Sequence, residues 1–435
     1  MPVQFTNIDK PNFLTYKFRM SPTHVTYANT LRRLIMTGVE SVGFRADMTS
    51  EGTTTDVTII QNDTPMTNEM LAHRVGLIPL AVQEPLKWNP AGYTFKLSKT
   101  GSQDNAVDVT TADFEIYETQ EVGQETIEPR KIPTDTFFKP DPISGDHVLI
   151  TRLQPTGTDT PQRVEIVAKA SLGVGRENAR FIPVTQCSYE YTRDSNPARI
   201  AQNFERWLIT MKKVVPGSIE KSSERYKALE REFNTMEIAR TFLQDEAGEP
   251  YSFDFTIETA GVLPIPYIVQ RACEVGEAMA TRFVNIGTAG ENHPTDLAIY
   301  PTPPSDAKML SFDFLFSNQD HTLGNLLQTW ICMNMMDGGQ VTYCGYKIPH
   351  PLRDEMLLRI AVKDNDEKTA RDVVAQACRG CVALFREMRE AWIVGLMGGA
   401  AGTAAAAAPS KARPNGSRVP KGTPVRIRPA ATAAP

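Results

Sequence analysis

MLSFDFLFSNQDHTLGNLLQTWI, residues Met309 to Ile331, decides the fold, because the chain states it twice. Its counterpart is FLTYKFRMSPTHVTYANTLRRLI, Phe13 to Ile35, at a constant offset of 296 residues. Tyr16 and Phe18 match Phe312 and Phe314, Ser21 matches Ser317, and Ala28-Asn29 matches Gly324-Asn325. Leu31 and Ile35 match Leu327 and Ile331. Both copies open with period-two alternation, Leu14, Tyr16, Phe18, Met20 and Phe312, Phe314, Phe316, which predicts a half-buried strand. Each then passes through a short polar turn into a helix. Leu323, Leu326, Leu327, Trp330 and Ile331 recur at i, i+3, i+4, i+7 and i+8, one apolar stripe; Tyr27, Leu31, Leu34 and Ile35 make the other. Asp320 is placed to cap the second helix. The small residue before each Asn lets another backbone approach. A strand–helix unit with one apolar stripe must bury it against something, and two copies in one chain supply each other with the partner.

At 435 residues the chain has room for roughly three domains. The charge is −5, and the six Lys or Arg between Lys411 and Arg428, beyond the last acidic residue Glu390, leave the rest at −11. An acidic body argues against a protein that coats nucleic acid. Six widely spaced cysteines make no disulfide framework, and the polar N-terminus has no leader-like apolar core. The uncharged Ala391–Pro409 run is mostly Ala and Gly, too weakly apolar to span a bilayer. We therefore expect an intracellular protein without membrane attachment.

Between the repeats, Val57 to Leu80 reads as a strand, an Asn62-Asp63-Thr64-Pro65 turn and a short helix stopped near Gly76. His73 has no second imidazole at ligand spacing. Residues 81 to 170 are punctuated by Pro and Gly and alternate like short antiparallel strands. Gly173 to Asn178 lacks the pattern and the βαβ setting of a phosphate loop. Residues 192–250 are helix-prone and disclose no function. Phe253–Ile257 is another strand, followed by a turn and a helix striped by Ile268, Ala272, Val275, Met279 and Phe283. Residues 291–308 read as a linker. Glu367 to Trp392 reads as a long helix, so Cys378 and Cys381 lie inside it and lack the second ligand pair a zinc site needs. The Ala- and Pro-rich end cannot build a core and reads as disordered.

The chain resembles the larger and smaller alpha-like subunits of multisubunit DNA-directed RNA polymerase, fused head to tail. The larger is carried by YANTLRRL (27–34), the Asn62–Leu80 stretch with AHRVGLIPL, AKASLGVGRENARFIPV (168–184) and FTIETAGVLP (255–264). The smaller is carried by NQDHTLGNLL (318–327) and GYKIPHPL (345–352). Such a fusion resembles the arrangement in large DNA viruses of eukaryotes, which implies a setting in the host nucleus or cytoplasm, or in the virion.

The resemblance implies an α+β fold in which two alpha-type dimerisation units form an intramolecular pseudodimer, with an inserted, mostly antiparallel β domain. The expected division is 1–46 with 176–290 for the larger unit, 47–175 for the insert, 291–308 for the linker, 309–395 for the smaller unit and 396–435 for a disordered basic tail. It implies a dimerisation core of Leu31, Leu34, Ile35, Leu323, Leu326, Leu327, Trp330 and Ile331. Asn29, Arg32, Arg33, Glu69, His73, Arg74 and Gly76 would face the large subunits. The implied role is a non-catalytic assembly platform: a structural subunit of a nucleotidyltransferase complex and not an enzyme on its own. Its expected partners are the two largest polymerase subunits and small zinc-bearing adaptor subunits, with DNA and RNA reached only through the complex. Some relatives carry a cysteine-rich zinc loop or iron–sulfur cluster in the insert; without cysteines there, neither is expected, and no catalytic, cofactor or metal residue is assigned. The Asp of each Phe-Asp-Phe is expected to be exposed rather than a magnesium ligand. The alternative is a nucleic-acid-binding accessory protein acting through its basic tail by phosphate charge.

Overall fold

The computed structural model describes residues 2–47, 56–119, 129–157, 160–215, 217–286, 294–303 and 309–398, and the backbone alone at 121–122, 125–126 and 399–405. In chain order the elements are β1 (Gln4–Asp9), β2 (Thr15–Ser21), α1 (Val25–Thr37), β3 (Glu40–Gly43), β4 (Val57–Asn62) and α2 (Asn68–Gly76). There follow β5 (Tyr93–Thr100), β6 (Val107–Thr110), β7 (Phe114–Glu118), β8 (Glu121–Val122), β9 (Glu125–Thr126), β10 (Arg130–Ile132), β11 (Leu149–Leu153), β12 (Arg163–Ala168) and β13 (Ser171–Val174). Next come β14 (Val184–Tyr191), α3 (Pro197–Thr210), α4 (Glu224–Glu232), β15 (Phe253–Thr259) and α5 (Ile265–Thr281). The chain closes with β16 (Leu297–Pro301), β17 (Phe312–Ser317), α6 (His321–Met335), β18 (Val341–Lys347), β19 (Glu355–Val362) and α7 (Glu367–Ala405).

Two four-stranded antiparallel sheets, ordered β1-β2-β15-β14 and β16-β17-β19-β18, carry the repeat. Leaving insertions aside, both halves run β-β-α-β-β-α, and the matched strands occupy matched places. Phe18 lies opposite Phe255, and Phe314, its match, opposite Leu358. The alternation works as expected on the inner faces: Phe18, Met20, Phe253, Phe255, Phe314 and Phe316 are fully or almost fully buried. Residues of both halves share one continuous hydrophobic core. A second core lies around Phe44, Phe95, Phe114 and Phe138, under the sheet β10-β7-β5-β12-β4. That core begins at Val42, just after α1, and β13 returns to pair with β3. Residues 197–238 make a third, small cluster around Phe204, Trp207, Leu208 and Phe233.

The closing helices cross over. Trp392 on α7 packs on Phe5 and Phe18 of the first sheet, with ring centroids 5.3 and 5.0 Å away, and its indole N–H donates to Pro266 O at 3.1 Å. In return Phe283, just past α5, meets Phe316 of the second sheet edge-on at 4.8 Å. Along the α5–α7 seam a side chain at Gly276 would stand 2.7 Å from the Phe385 ring, so glycine sets that approach. Glu277 accepts from Arg386 at 2.7 Å and pairs with Arg389 at 3.3 Å, while Arg379 donates to Val284 O at 3.1 Å.

Three expectations change. Within the stretch read as a linker, Leu297–Pro301 is an edge strand paired with β17; its proline sits at the strand end on an edge, where no ladder N–H is required, and so disguised it. Residues 304–308 and 287–293 lie outside the described residues. The helix expected to stop at Trp392 continues to Ala405, so the first part of the stretch read as a disordered tail is helical. Its composition is rich in alanine, the best helix former, and a side chain at Gly395 would come within 2.6 Å of Phe5 O. Residues 406–435 lie outside the described residues. Finally, Asp313 is not exposed: it is 2% accessible, held by Arg359 at 2.7 and 2.9 Å and by the Thr302 hydroxyl at 2.7 Å. A buried carboxylate needs such a partner. Asp254, its counterpart in the other Phe-Asp-Phe, pairs with Arg19 at 2.7 Å.

Trp392→Ala should lower the unfolding free energy by about 3–5 kcal/mol, whereas Val394→Ala, at a residue 68% exposed, should change it by less than about 0.5 kcal/mol. Urea unfolding followed by circular dichroism measures both; equal effects would contradict the crossed packing.

Candidate assembly interface

The seam between the halves begins with α1 and α6. His24 caps α1 through Nδ1, which accepts from Thr26 N–H at 3.2 Å, and Asp320 caps α6, accepting from Thr322 N–H at 2.7 Å. The two helices run antiparallel: Thr26 meets Thr329 and Asn325 at 3.1 and 3.4 Å, while Arg33 reaches the α6 N-terminus. There its guanidinium donates to Thr322 Oγ1 at 2.8 Å and Asp320 Oδ2 at 3.1 Å. Tyr27 stands above Met333, its hydroxyl 3.8 Å from the sulfur. Leu31, Leu34, Ile35, Leu323, Leu326, Leu327 and Ile331 are buried in the shared core. Trp330 is only partly buried; its indole fills the space that a side chain at Gly380 would occupy, at 2.1–2.4 Å.

The residues expected to face large partners divide into two sets. Arg33 is turned inward, because a carboxylate and a hydroxyl at a helix N-terminus offer it two acceptors at once. Arg74 donates to Ile150 O and Leu149 O at 2.8 and 3.0 Å and so pins β11 to α2. Gly76 is buried, with Ala46 Cβ 2.9 Å from where its own Cβ would lie. These three brace the fold, Arg74 from an exposed position on α2. Glu69 and His73 are exposed on α2, beside the exposed Met70 and Leu77, in a helix capped by Thr67. Asn29 and Arg32 line an open cleft of about 540 Å³ between α1 and β14.

The Gly173–Asn178 stretch, which fails as a phosphate loop, is a brace. A side chain at Gly175 would lie 2.1 Å from Met36 O, and Arg176 N–H donates to Thr37 O at 3.0 Å, closing the C-terminus of α1. Arg176 then reaches the second half, donating to Asn318 O at 3.0 Å with Asp354 at 3.6 Å. Sequence reading missed Arg176 and Trp392 as seam residues; nothing local in a sequence says which other half a side chain will meet.

Among the described residues no group of three His, Cys, Asp or Glu is placed to hold a metal, and no helix is long and apolar enough to cross a membrane. Burial pushes the Cys273 and Cys378 thiols up to about 12, and Cys381 is raised in the same way, so these three stay protonated core groups.

Residues 311–391 match the RNA polymerase Rpb3/Rpb11 dimerisation domain. The chain is similar to the DNA-directed RNA polymerase subunit Rpo3 of Methanobrevibacter smithii, 25% identical over 290 residues that cover 63% of this chain and 94% of the relative. Rpo3 of Methanopyrus kandleri is 28% identical over 273 residues, covering 60% and 86%. The probable DNA-directed RNA polymerases I and III subunit RPAC2 of Caenorhabditis elegans is 28% identical over 106 residues, 24% of this chain and 66% of the relative. The chain thus has its homologues among the alpha-type subunits of DNA-directed RNA polymerase.

Burial pushes the Asp320 carboxyl up, but its bonds from Thr322 and the charge of Arg33 outweigh this and leave it below the usual carboxylate range. A depressed folded-state value stabilises above the unfolded value, about 3.9, and the gain is lost as pH falls through the folded value. Asp320→Asn keeps a capping side chain but removes the charge. It should cost up to about 1 kcal/mol at pH 7, and the gap should close below about pH 4; a gap independent of pH in thermal unfolding would contradict this.

Proposed function

We propose that this chain is a non-catalytic assembly-platform subunit of DNA-directed RNA polymerase, in which a larger and a smaller alpha-like unit are fused and pair within one polypeptide as a pseudodimer. The observation that carries the reading is the doubled β-β-α-β-β-α order, with each closing helix packed on the other half's sheet. Homology to Rpo3 subunits supports the same role. Covalent linkage replaces a bimolecular pairing step by an intramolecular one, so the platform forms at any protein concentration.

In this reading the pairing faces are consumed inside the chain, and the outward faces receive the two largest, catalytic subunits. Asn29 and Arg32 on α1, and Glu69 and His73 on α2, are the docking residues; Arg33, Arg74 and Gly76 keep those helices in place. Small zinc-bearing adaptor subunits complete the set of partners, and nucleic acid is reached through the complex. The fused arrangement is the one resembling large DNA viruses of eukaryotes, with transcription in the host nucleus or cytoplasm or in the virion.

Affinity purification of the tagged chain from its native cells should recover the two largest polymerase subunits. Glu69→Arg combined with His73→Glu should reduce that recovery about tenfold, equivalent to about 1.4 kcal/mol, without loss of helix content. Deleting 406–435 should leave recovery unchanged; loss on that deletion would favour the basic-tail reading, and recovery of no polymerase subunit by the intact chain would overturn the proposal.

A further inference from the structure

The two halves place the same strand edge in the same position and finish it differently. Tyr189 on β14 lies opposite Phe255, and Tyr346 on β18 opposite Leu358. Since Phe255 and Leu358 are themselves opposite the matched Phe18 and Phe314, Tyr189 and Tyr346 are equivalent. Both strands are outermost in their sheets. In an antiparallel ladder the residues alternate between bonding inward and pointing their N–H and C=O outward. Thr192 N–H donates inward to Ser252 O at 3.0 Å, so Tyr191, Tyr189 and Cys187, odd steps away, turn theirs to the open edge.

In the second half this edge is closed from within: Tyr346 N–H donates to Gln328 Oε1 at 3.1 Å. The residue matching Gln328 at the repeat offset is Arg32. A guanidinium has donors only and no acceptor, so it cannot close the Tyr189 N–H. Among the described residues none accepts from that N–H. Arg32 gives one donor to Asn29 Oδ1 at 3.0 Å and another to Met36 Sδ at 3.4 Å; among the described residues it forms no ion pair. Glu190, the acidic residue of the cleft, lies 4.0 Å from Arg193. The first half thus presents a backbone donor and a cation side by side at the point where the second half shows an oxygen seated.

We infer that the α1–β14 cleft is a receptor for an Asp or Glu carboxylate of a protein partner, presented on an extended segment along the β14 edge, with the carboxylate bridging Tyr189 N–H and the Arg32 guanidinium. The quasi-equivalent α6–β18 cleft is blocked by Gln328, so a partner that reads this edge docks on one half only and fixes its orientation on an otherwise twofold-like platform. This deepens the platform reading by naming the partner's chemistry at one of its docking faces. An exposed edge strand invites such pairing, and a charge-assisted bond to arginine adds selectivity for the carboxylate.

Arg32→Gln in the full chain tests it, because it installs the closing residue of the other half. Amide hydrogen exchange of the free protein should be fast at Tyr189 and slow at Tyr346. Arg32→Gln should slow Tyr189 at least tenfold, and Gln328→Ala should speed Tyr346. In affinity purification, Arg32→Gln should cut recovery of a large polymerase subunit about tenfold with an unchanged melting temperature, while Gln328→Ala should not reduce it. Equal protection of the two amides in the wild type, or full recovery with Arg32→Gln, overturns the inference. So does a loss seen only in retention on immobilised DNA, which would make the anion a phosphate. Failure of the platform reading is distinct: the wild type then recovers no polymerase subunit, while the exchange contrast stands or falls by itself.

Discussion

The structure depends on an exchange of closing helices. Each half is a four-stranded sheet with helices on one face, and the apolar ends of α5 and α7 are buried by the other half's strands. Trp392 against Phe5 and Phe18, and Phe283 against Phe316, are the two ends of that exchange. Aromatic contacts of this kind add about 0.5–1.5 kcal/mol each beyond the area they bury. The polar bonds along the seam, Glu277 with Arg386 and Arg389 and Arg33 with Thr322 and Asp320, set the angle and register of the helices more than they hold them.

Because the seam is shared, neither half has a closed core without the other. Small residues mark the closest approaches, one across the seam and two within the second half. Gly276 admits Phe385, Gly380 admits Trp330, and Gly324 lies under Tyr346, where a side chain would meet the ring at 2.4 Å. Gly324 is the small residue before the repeated Asn; what comes close to it is the Tyr346 ring of the same half and not another backbone. Its counterpart Ala28 is fully buried. Close-packed interiors leave no slack at such points, and a methyl group there forces an aromatic ring to move.

The halves are alike in backbone and unlike in surface. The first accepts two insertions, one between β3 and β14 and one between β14 and β15, whereas in the second α6 leads to β18 and β18 to β19 through short connections. At matched positions the first half carries Arg32 and the second Gln328; the Tyr346 N–H has the Gln328 oxygen seated on it, and among the described residues the Tyr189 N–H has no such acceptor.

Much of this was legible in the linear sequence. Period-two alternation marked β2 and β17, the stripe at i, i+3, i+4 marked α6, and the repeat offset foretold that both would be used in the same way; these are local patterns that burial on one face imposes on any strand or helix. The edge strand at 297–301 was hidden, because an edge strand buries little and tolerates proline, so its pattern is weak. The inward turn of Arg33, the pinning roles of Arg74 and Gly76, the burial of Asp313 and the reach of Trp392 were decided only by tertiary structure. Each depends on which distant group lies opposite: Asp320 is 287 residues from Arg33, and Pro266 is 126 from Trp392. A sequence records what a side chain can bond to, and folding alone determines which acceptor is brought within its reach.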